Sequence, residues 1–175
     1  MAADEVSERI RRAALARFVE VGFGSAAIDE IAAGAEVGVA SLYRRWPDKA
    51  ALANELMVAY LDRVETALEP EDGGTAKSRF LALWRRLWDL AEGDPKLLVF
   101  VEAQAHDGFM TDEVAARKEA TGQRWTEAMG EFGMKADAAT ATAILVGTMT
   151  AAWQMDVDTD REELGRRLWA ALNLD

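Results

Sequence analysis

Apolar residues recur at helical spacing along almost the whole chain, and no stretch shows the strict alternation that is typical of a half-buried β-strand. The first stripe consists of Val6, Ile10, Ala14, Phe18 and Val21. Helical periodicity, interrupted at glycine and proline, predicts nine helices and an all-α fold. The predicted helices cover approximately residues 4–22, 28–35, 38–45, 48–68, 80–91, 95–106, 111–132, 137–155 and 161–172.

The first three predicted helices form the arrangement of a DNA-reading helix-turn-helix, two short helices joined by a tight turn behind a longer one. Rotation by 100° per residue gives the third helix two faces. The inner face holds Val39, Leu42 and Trp46, and the outer face holds Ala40 and Arg44 flanked by Ser41 and Tyr43. A small residue at Ala40 lets the helix approach a major groove while Arg44 reaches a guanine edge. From spacing alone, a solvated helix end that complements the helix dipole explains Arg44 and Arg45 equally well.

Lys49 lies in the first turn of the fourth predicted helix, where the helix dipole disfavours a cation. This placement indicates a partner for the ammonium group, and a DNA phosphate is the natural one. The alternative is that Asp48, the predicted cap of the same helix, neutralises the charge.

These segments resemble, in order and spacing, the N-terminal signature of the TetR family of transcriptional regulators. The matching segments are Gly22-Phe23, Ile28-Asp29-Glu30-Ile31-Ala32, Val37-Gly38-Val39-Ala40-Ser41-Leu42-Tyr43-Arg44-Arg45-Trp46 and Asp48-Lys49-Ala50-Ala51-Leu52. The agreement is far more specific than a generic helix-turn-helix pattern.

The resemblance implies nine helices in two domains, a helix-turn-helix DNA-binding domain over residues 1–47 and a helical ligand-binding and dimerisation domain over residues 48–175. It implies a homodimer on double-stranded DNA at a palindromic operator, and repression that a small-molecule effector relieves. It implies that five residues approach DNA, namely Val39, Ala40, Ser41, Tyr43 and Arg44. It also implies that Lys49 contacts a phosphate. No cofactor is predicted.

The sequence departs from the family pattern at three places. Ala26 and Ala27 stand where a capping Thr or Ser is usual before the second helix, and a missing cap costs about 1 kcal/mol unless Ser25 substitutes. Glu36 stands where the turn between the second and third helices usually has glycine, so we expect strain there or a turn reshaped by its neighbours Gly34 and Gly38. Arg45 replaces a common histidine, which is expected to strengthen phosphate binding.

Charge and composition narrow the classes of function. Residues 1–50 carry a net charge of −1 and residues 51–175 a net charge of −10, so a near-neutral front can meet DNA while the rear repels it.

The chain has one histidine, no cysteine, no phosphate-binding glycine loop and no nucleophile motif, which argues against an enzyme. The charged N-terminus and the lack of a long apolar run predict a cytoplasmic protein. A helical scaffold without specific DNA binding is the alternative function.

Small residues form a ridge along the eighth predicted helix, and leucines line the ninth. The predicted dimer interface consists of Ala139, Ala143, Gly147, Ala151, Leu164, Leu168 and Leu172. Small residues let a second helix approach closely, so the two helices and their copies can form a four-helix interface. Without the family resemblance, packing inside one subunit would explain both stripes better.

Aromatic residues of the rear helices are candidates for a ligand pocket, because small-molecule sites are mainly apolar. The predicted lining consists of Phe80, Trp84, Trp88, Phe100, Trp125, Met149 and Trp153. For each residue taken singly, ordinary core packing is the better explanation. Glu102 and His106 have the spacing of two metal ligands on one helix, but no third ligand is indicated and no metal site is predicted.

Overall fold

The computed structural model describes residues 2–103, 108–154 and 160–173, and the side chains of residues 4–101, 108–152 and 160–173. Within these ranges the chain forms nine α-helices and no β-strand. The helices are α1 (Ala2–Ser25), α2 (Ile28–Gly34), α3 (Val39–Tyr43), α4 (Lys49–Ala67), α5 (Ala76–Gly93), α6 (Pro95–Ala103), α7 (Asp112–Gly130), α8 (Ala138–Gln154) and α9 (Arg161–Leu172). The all-α prediction is confirmed, and every predicted helix is present within the described residues. The predicted ends at residues 106 and 155 lie outside the described part of the chain.

The helix α1 is broken near its end at Gly22. This residue has φ 80° and ψ 156°, a backbone conformation that is essentially open to glycine alone. The chain resumes one more helical turn, and the amide of Ala26 donates to the carbonyl of Gly22 at 3.1 Å. The break therefore changes the direction of the last turn of α1, which carries Phe23.

The turn between α2 and α3 closes as a Schellman motif around Glu36. The amide of Val37 donates to the carbonyl of Ala32, and the amide of Glu36 donates to the carbonyl of Ala33, both at 3.0 Å. Glu36 itself adopts the left-handed conformation, with φ 55°. Gly38 has an extended backbone with φ −73°, so the neighbouring glycines do not take over the turn. No side chain caps the start of α2, so Ser25 does not replace the missing cap.

The helices divide into two compact units. The N-terminal unit comprises Met1–Asp62 with Asp94–Arg117, and the C-terminal unit comprises Arg63–Gly93 with Lys118–Asp175. The helices α4 and α7 each run through the boundary between the units. This division describes packing, and the domain boundary expected after residue 47 stays a prediction about function.

Four phenylalanines form a closed ring of contacts in the N-terminal unit. Phe18 contacts Phe23 and Phe100, and Phe109 contacts the same two residues, with ring centroids 4.6–5.9 Å apart. We call these four residues the phenylalanine cluster. It joins the end of α1 to α6 and to the segment between α6 and α7. Large aromatic side chains bury much apolar area, so α1 shares one core with α6.

The C-terminal unit is built around the packing of α5 on α9. A Cβ atom on Gly165 would lie 2.6 Å from the Trp84 ring, so the glycine is what lets the two helices approach. The indole nitrogen of Trp84 donates to the carbonyl of Arg161 at 2.6 Å. The side chain of Asp160 caps α9 by accepting from two backbone amides.

At the start of α8, hydrogen bonds from Thr140 lower the pKa of Asp137 below its usual value.

We predict that Glu36→Gly raises the free energy of unfolding by up to about 1 kcal/mol. A left-handed backbone costs a non-glycine residue about 1–2 kcal/mol, and the greater entropy that glycine loses on folding offsets roughly half of this gain. Urea unfolding measures the change. Glu36→Gln is the control, because it removes the charge and keeps the strain, and its exposed contact with Arg9 at 3.8 Å contributes little. A less stable glycine variant would contradict the strain at this turn.

Candidate nucleic-acid interface

The helix α3 presents one face to solvent and buries the other. Leu42 is fully buried and Trp46 nearly so, while Ala40 and Arg44 are exposed and Tyr43 is 50% exposed. The remaining predicted DNA-contact residues of this segment are half-buried; they are Val39, Ser41 and Arg45. The structure thus has the two faces that the sequence indicates. Their roles at DNA stay a prediction.

Hydrogen bonds hold the arginines at the end of α3. The guanidinium of Arg44 donates to the hydroxyl of Ser41 at 2.7 Å, on the exposed face. Arg45 donates to the hydroxyl of Ser7 on α1 at 2.9 Å and to the carbonyl of Ser41 at 2.9 Å. Arg44 is therefore presented outward from the helix, whereas part of Arg45 is used to tie the end of α3 to α1.

Glu55 of α4 fixes the position of the helix-turn-helix. Its carboxylate accepts from the indole nitrogen of Trp46 at 2.5 Å and from Arg11 of α1 at 2.7 Å. The Arg11 guanidinium also lies over the Trp46 ring, 5.8 Å from its centroid. One carboxylate therefore connects α1, the segment between α3 and α4, and α4 itself.

Asn54, the residue before Glu55, holds the segment between α6 and α7. Its amide nitrogen donates to the carbonyls of Ala50 at 2.8 Å and Phe109 at 2.9 Å. Its oxygen accepts from the amide of Thr111 at 3.1 Å. The side chain is buried, so its donors and acceptor are satisfied by the fold. Sequence reasoning missed this pair, although Asn54 and Glu55 interrupt an otherwise apolar stretch of α4 and could have indicated it.

Lys49 is seated among backbone carbonyls at the end of α1. Its ammonium donates to Phe23, Gly24 and Ala26 at 2.6, 3.1 and 2.9 Å. It also lies 4.6 Å from the centroid of the Phe23 ring. The sequence indicated that this cation has a partner, and the structure supplies one inside the chain. Asp48, the suggested neutralising residue, instead caps α4 by accepting from the amide of Ala51.

The predicted pocket residues are divided between the two units. Phe100 belongs to the phenylalanine cluster of the N-terminal unit. Phe80 contacts Phe132 and Trp169, and Trp84 contacts Trp88 at 5.3 Å, all within the C-terminal unit. Met149 is buried and Trp125 is half-buried. The side chain of Trp153 and the residue His106 lie outside the described part of the chain.

A small cleft of about 40 Å³ opens in the C-terminal unit near Leu83, Arg86 and Phe132. Such a volume holds about one water molecule. None of the predicted pocket residues lines it. A ligand site formed by those residues therefore stays a prediction.

The predicted dimer residues differ sharply in exposure. The four small residues of α8 are exposed; they are Ala139, Ala143, Gly147 and Ala151. Ile144 beside them is 42% exposed, and a Cβ atom on Gly147 would meet nothing within 4 Å. On α9, by contrast, Leu164 is half-buried, and Leu168 and Leu172 are buried within the chain. Little of these last two side chains is left for a partner.

The described residues contain neither a group placed to hold a metal ion nor a helix suited to span a membrane. Among them, no group of three or more His, Cys, Asp or Glu residues is placed to hold a metal ion. No described helix has both the length and the apolar character that crossing a membrane requires.

Residues 10–56 match the family model of the bacterial regulatory proteins, tetR family. This segment contains most of α1, the whole of α2 and α3, and the part of α4 that carries Lys49, Asn54 and Glu55. No curated protein matches the sequence.

Solved structures of TetR-family regulators resemble the whole chain. A TetR family transcription regulator from Marinobacter aquaeolei VT8 has a TM-score of 0.74 at 19% identity, over 97% of this chain and 96% of that one. AibR, solved in complex with isovaleryl coenzyme A and operator DNA, has a TM-score of 0.74 at 18% identity, over 96% and 98%. FadR from Bacillus subtilis, solved in complex with stearoyl-CoA, has a TM-score of 0.64 at 18% identity, over 95% and 97%. Residues 10–56 therefore match the TetR family of bacterial regulatory proteins, and the chain shares the fold of solved TetR-family regulators.

Proposed function

We propose that the protein is a cytoplasmic, non-catalytic transcriptional repressor that binds a palindromic operator as a homodimer and is released by a small-molecule effector. Residues 1–47 serve as the DNA-binding domain, and residues 48–175 as the ligand-binding and dimerisation domain. The observation that carries the proposal is the exposed face of α3, which presents Ala40, Tyr43 and Arg44 while its opposite face is buried.

At the operator, Arg44 makes the base contact. The Cβ of Ala40 is the only side-chain atom at its position, so the backbone of α3 can lie close to the floor of the major groove. Arginine then donates two hydrogen bonds to guanine, the commonest specific contact in that groove. Tyr43 and Arg45 contact phosphates beside the groove, and Val39 and Ser41 complete the contact surface. The charge distribution supports this orientation, because residues 51–175 carry the net charge of −10.

We predict that Arg44→Ala weakens operator binding by about 1–3 kcal/mol and relaxes the base preference at the contacted position. Fluorescence anisotropy with the operator and with single-base variants of it measures both effects. Lys77→Ala, which removes an exposed cation of α5, is the matched control and should leave both unchanged. Unchanged affinity and unchanged base preference in the Arg44 variant would show that α3 does not read DNA through this residue.

The second subunit binds on the outer face of α8. A palindromic site has two-fold symmetry, so its protein partner is expected to have the same symmetry. The exposed small residues of α8 form a ridge on which a second copy of the helix can pack closely. On α9, the surface available to a partner includes the exposed residues Ala170 and Ala171, since Leu168 and Leu172 pack inward.

We predict that Gly147→Leu disrupts the dimer and leaves the fold of the subunit intact. The added side chain meets open space within the chain, and leucine favours a helix over glycine. Between two subunits the same side chain overfills the close approach and costs about 1–3 kcal/mol. Sedimentation velocity measures the dimer and circular dichroism measures the fold.

Gly122→Leu is the control for the dimer experiment. Gly122 also lies exposed on a helix, α7, with nothing within 4 Å of an added Cβ atom. It is not part of the proposed interface, so its variant should dimerise as the wild type does. A wild type that sediments as a monomer at micromolar concentration would rule out the dimer.

The effector is a largely apolar molecule bound in the C-terminal unit. Two structurally similar regulators were solved with acyl-coenzyme A ligands, isovaleryl coenzyme A in AibR and stearoyl-CoA in FadR. In this chain the net charge of −10 on residues 51–175 disfavours an anionic ligand. The faces of tryptophan rings favour an aromatic or cationic ligand. Acyl-coenzyme A thioesters and aromatic cations are therefore the two classes to compare.

The signal passes along α4. This helix begins with Lys49 beside the end of α1, carries Asn54 and Glu55 in the N-terminal unit, and continues into the C-terminal unit as far as Ala67. An effector that binds one arrangement of α4 better than another shifts the population of DNA-competent subunits.

We predict that an effector that quenches tryptophan fluorescence lowers operator affinity by about 1–3 kcal/mol, and that the operator lowers effector affinity by the same factor. The compounds to titrate are isovaleryl coenzyme A, stearoyl-CoA and tetraphenylphosphonium, each against the free protein and against the operator complex. Trp84→Phe identifies whether the quenched residue is Trp84 of α5. Quenching without any change in operator affinity would contradict the coupling while leaving DNA binding untouched.

A further inference from the structure

We propose that Lys49 is a positioning residue of the DNA-binding domain, which fastens the end of α1 to the start of α4, and that it does not contact a phosphate. The inference rests on the proposed DNA-binding function, because its effect on the operator is measured through binding. It departs from the role that the family resemblance implies for this lysine.

The ammonium group of Lys49 has no donor left over in the folded chain. A lysine ammonium has three N–H donors and no acceptor. Three backbone carbonyls, those of Phe23, Gly24 and Ala26, lie 2.6–3.1 Å from the nitrogen. The face of the Phe23 ring lies 4.6 Å away and adds a cation–π contact. A phosphate oxygen would have to displace one of these partners.

The break at Gly22 explains why the carbonyls converge on one point. The last carbonyls of a helix have no helical partner and carry the negative end of the helix dipole. The backbone of Gly22 turns the final segment of α1, so that the carbonyls of Phe23 and Gly24 face the start of α4. A cation that is unfavourable at the N-terminus of α4 is therefore favourable at the C-terminus of α1.

The same ammonium reaches the connection between α1 and α2 through Ala26. The start of α2 has no side-chain cap, so the hydrogen bond to the Ala26 carbonyl is a fixed point close to it. Lys49 thus joins α1, the α1–α2 connection and α4 at one atom. Because α2 and α3 follow directly, the orientation of the reading face depends on this junction.

Lys49→Met tests the inference, since methionine keeps the unbranched side chain and removes the charge and all donors. We expect operator binding to weaken about tenfold, as for the loss of a charged hydrogen bond, and to weaken equally at every salt concentration. The slope of log K against log salt then stays parallel to that of the wild type. In the free protein, amide exchange of residues 24–27 should accelerate about tenfold or more.

A phosphate contact would give the opposite pattern. Loss of one phosphate contact lowers the magnitude of the salt slope by about 0.9, and exchange of residues 24–27 in the free protein would not change. That result overturns the inference. Lys77→Met is the matched control, because this cation is exposed on α5 and its removal should change neither the slope nor the exchange.

A measurement on the wild type decides the question if Lys49→Met does not fold. Three carbonyl partners slow the exchange of ammonium protons, so the ¹H–¹⁵N signal of Lys49, assigned with Lys49→Arg, should be visible in the free protein and change little with the operator. A signal that appears only with the operator overturns the inference. If the wild type binds no DNA specifically, the proposed function fails, yet this spectrum and the exchange rates of the free protein still decide the role of Lys49.

Discussion

The unpaired carbonyls at the end of α1 are the constraint on which the N-terminal unit depends. A helix end that is partly buried must find hydrogen-bond donors for its last carbonyls, or the fold loses about 1–3 kcal/mol for each unsatisfied group. Here one side chain from a distant part of the sequence, Lys49, donates to two of these carbonyls, Phe23 and Gly24, and to Ala26 just beyond the helix. The position of α4 relative to α1 is thereby linked to backbone geometry that Gly22 creates.

Three residues on the first half of α4 connect that helix to three different elements. Lys49 binds the end of α1, Asn54 binds the segment between α6 and α7, and Glu55 binds Trp46 after α3. Each contact uses a buried or partly buried polar group whose partner would be left unsatisfied if the helix moved alone. A displacement of α4 therefore either carries these elements with it or breaks specific hydrogen bonds, which makes a two-state response more favourable than a gradual one.

The sequence allowed the helices and the two faces of α3 to be predicted, because both follow from local periodicity. The family pattern also located the strained position, Glu36, because glycine is usual at that place in the turn and Glu36 has φ 55°. The sequence could not show that Phe100 packs on Phe18, since that contact joins residues 82 positions apart that have no shared pattern. The inward packing of Leu168 was hidden for the same reason, because a leucine stripe does not reveal which neighbour covers it.

The phenylalanine cluster limits how a change in α6 can reach the end of α1. Phe100 and Phe109 come from α6 and the segment after it, yet they pack against Phe18 and Phe23 of α1. Close-packed cores resist small continuous deformations, and they change by switching between distinct arrangements. A shift of α6 must therefore either repack these rings or move the end of α1. Because Phe23 also lies against the Lys49 ammonium, repacking the rings would disturb the hydrogen-bonded junction between α1 and α4.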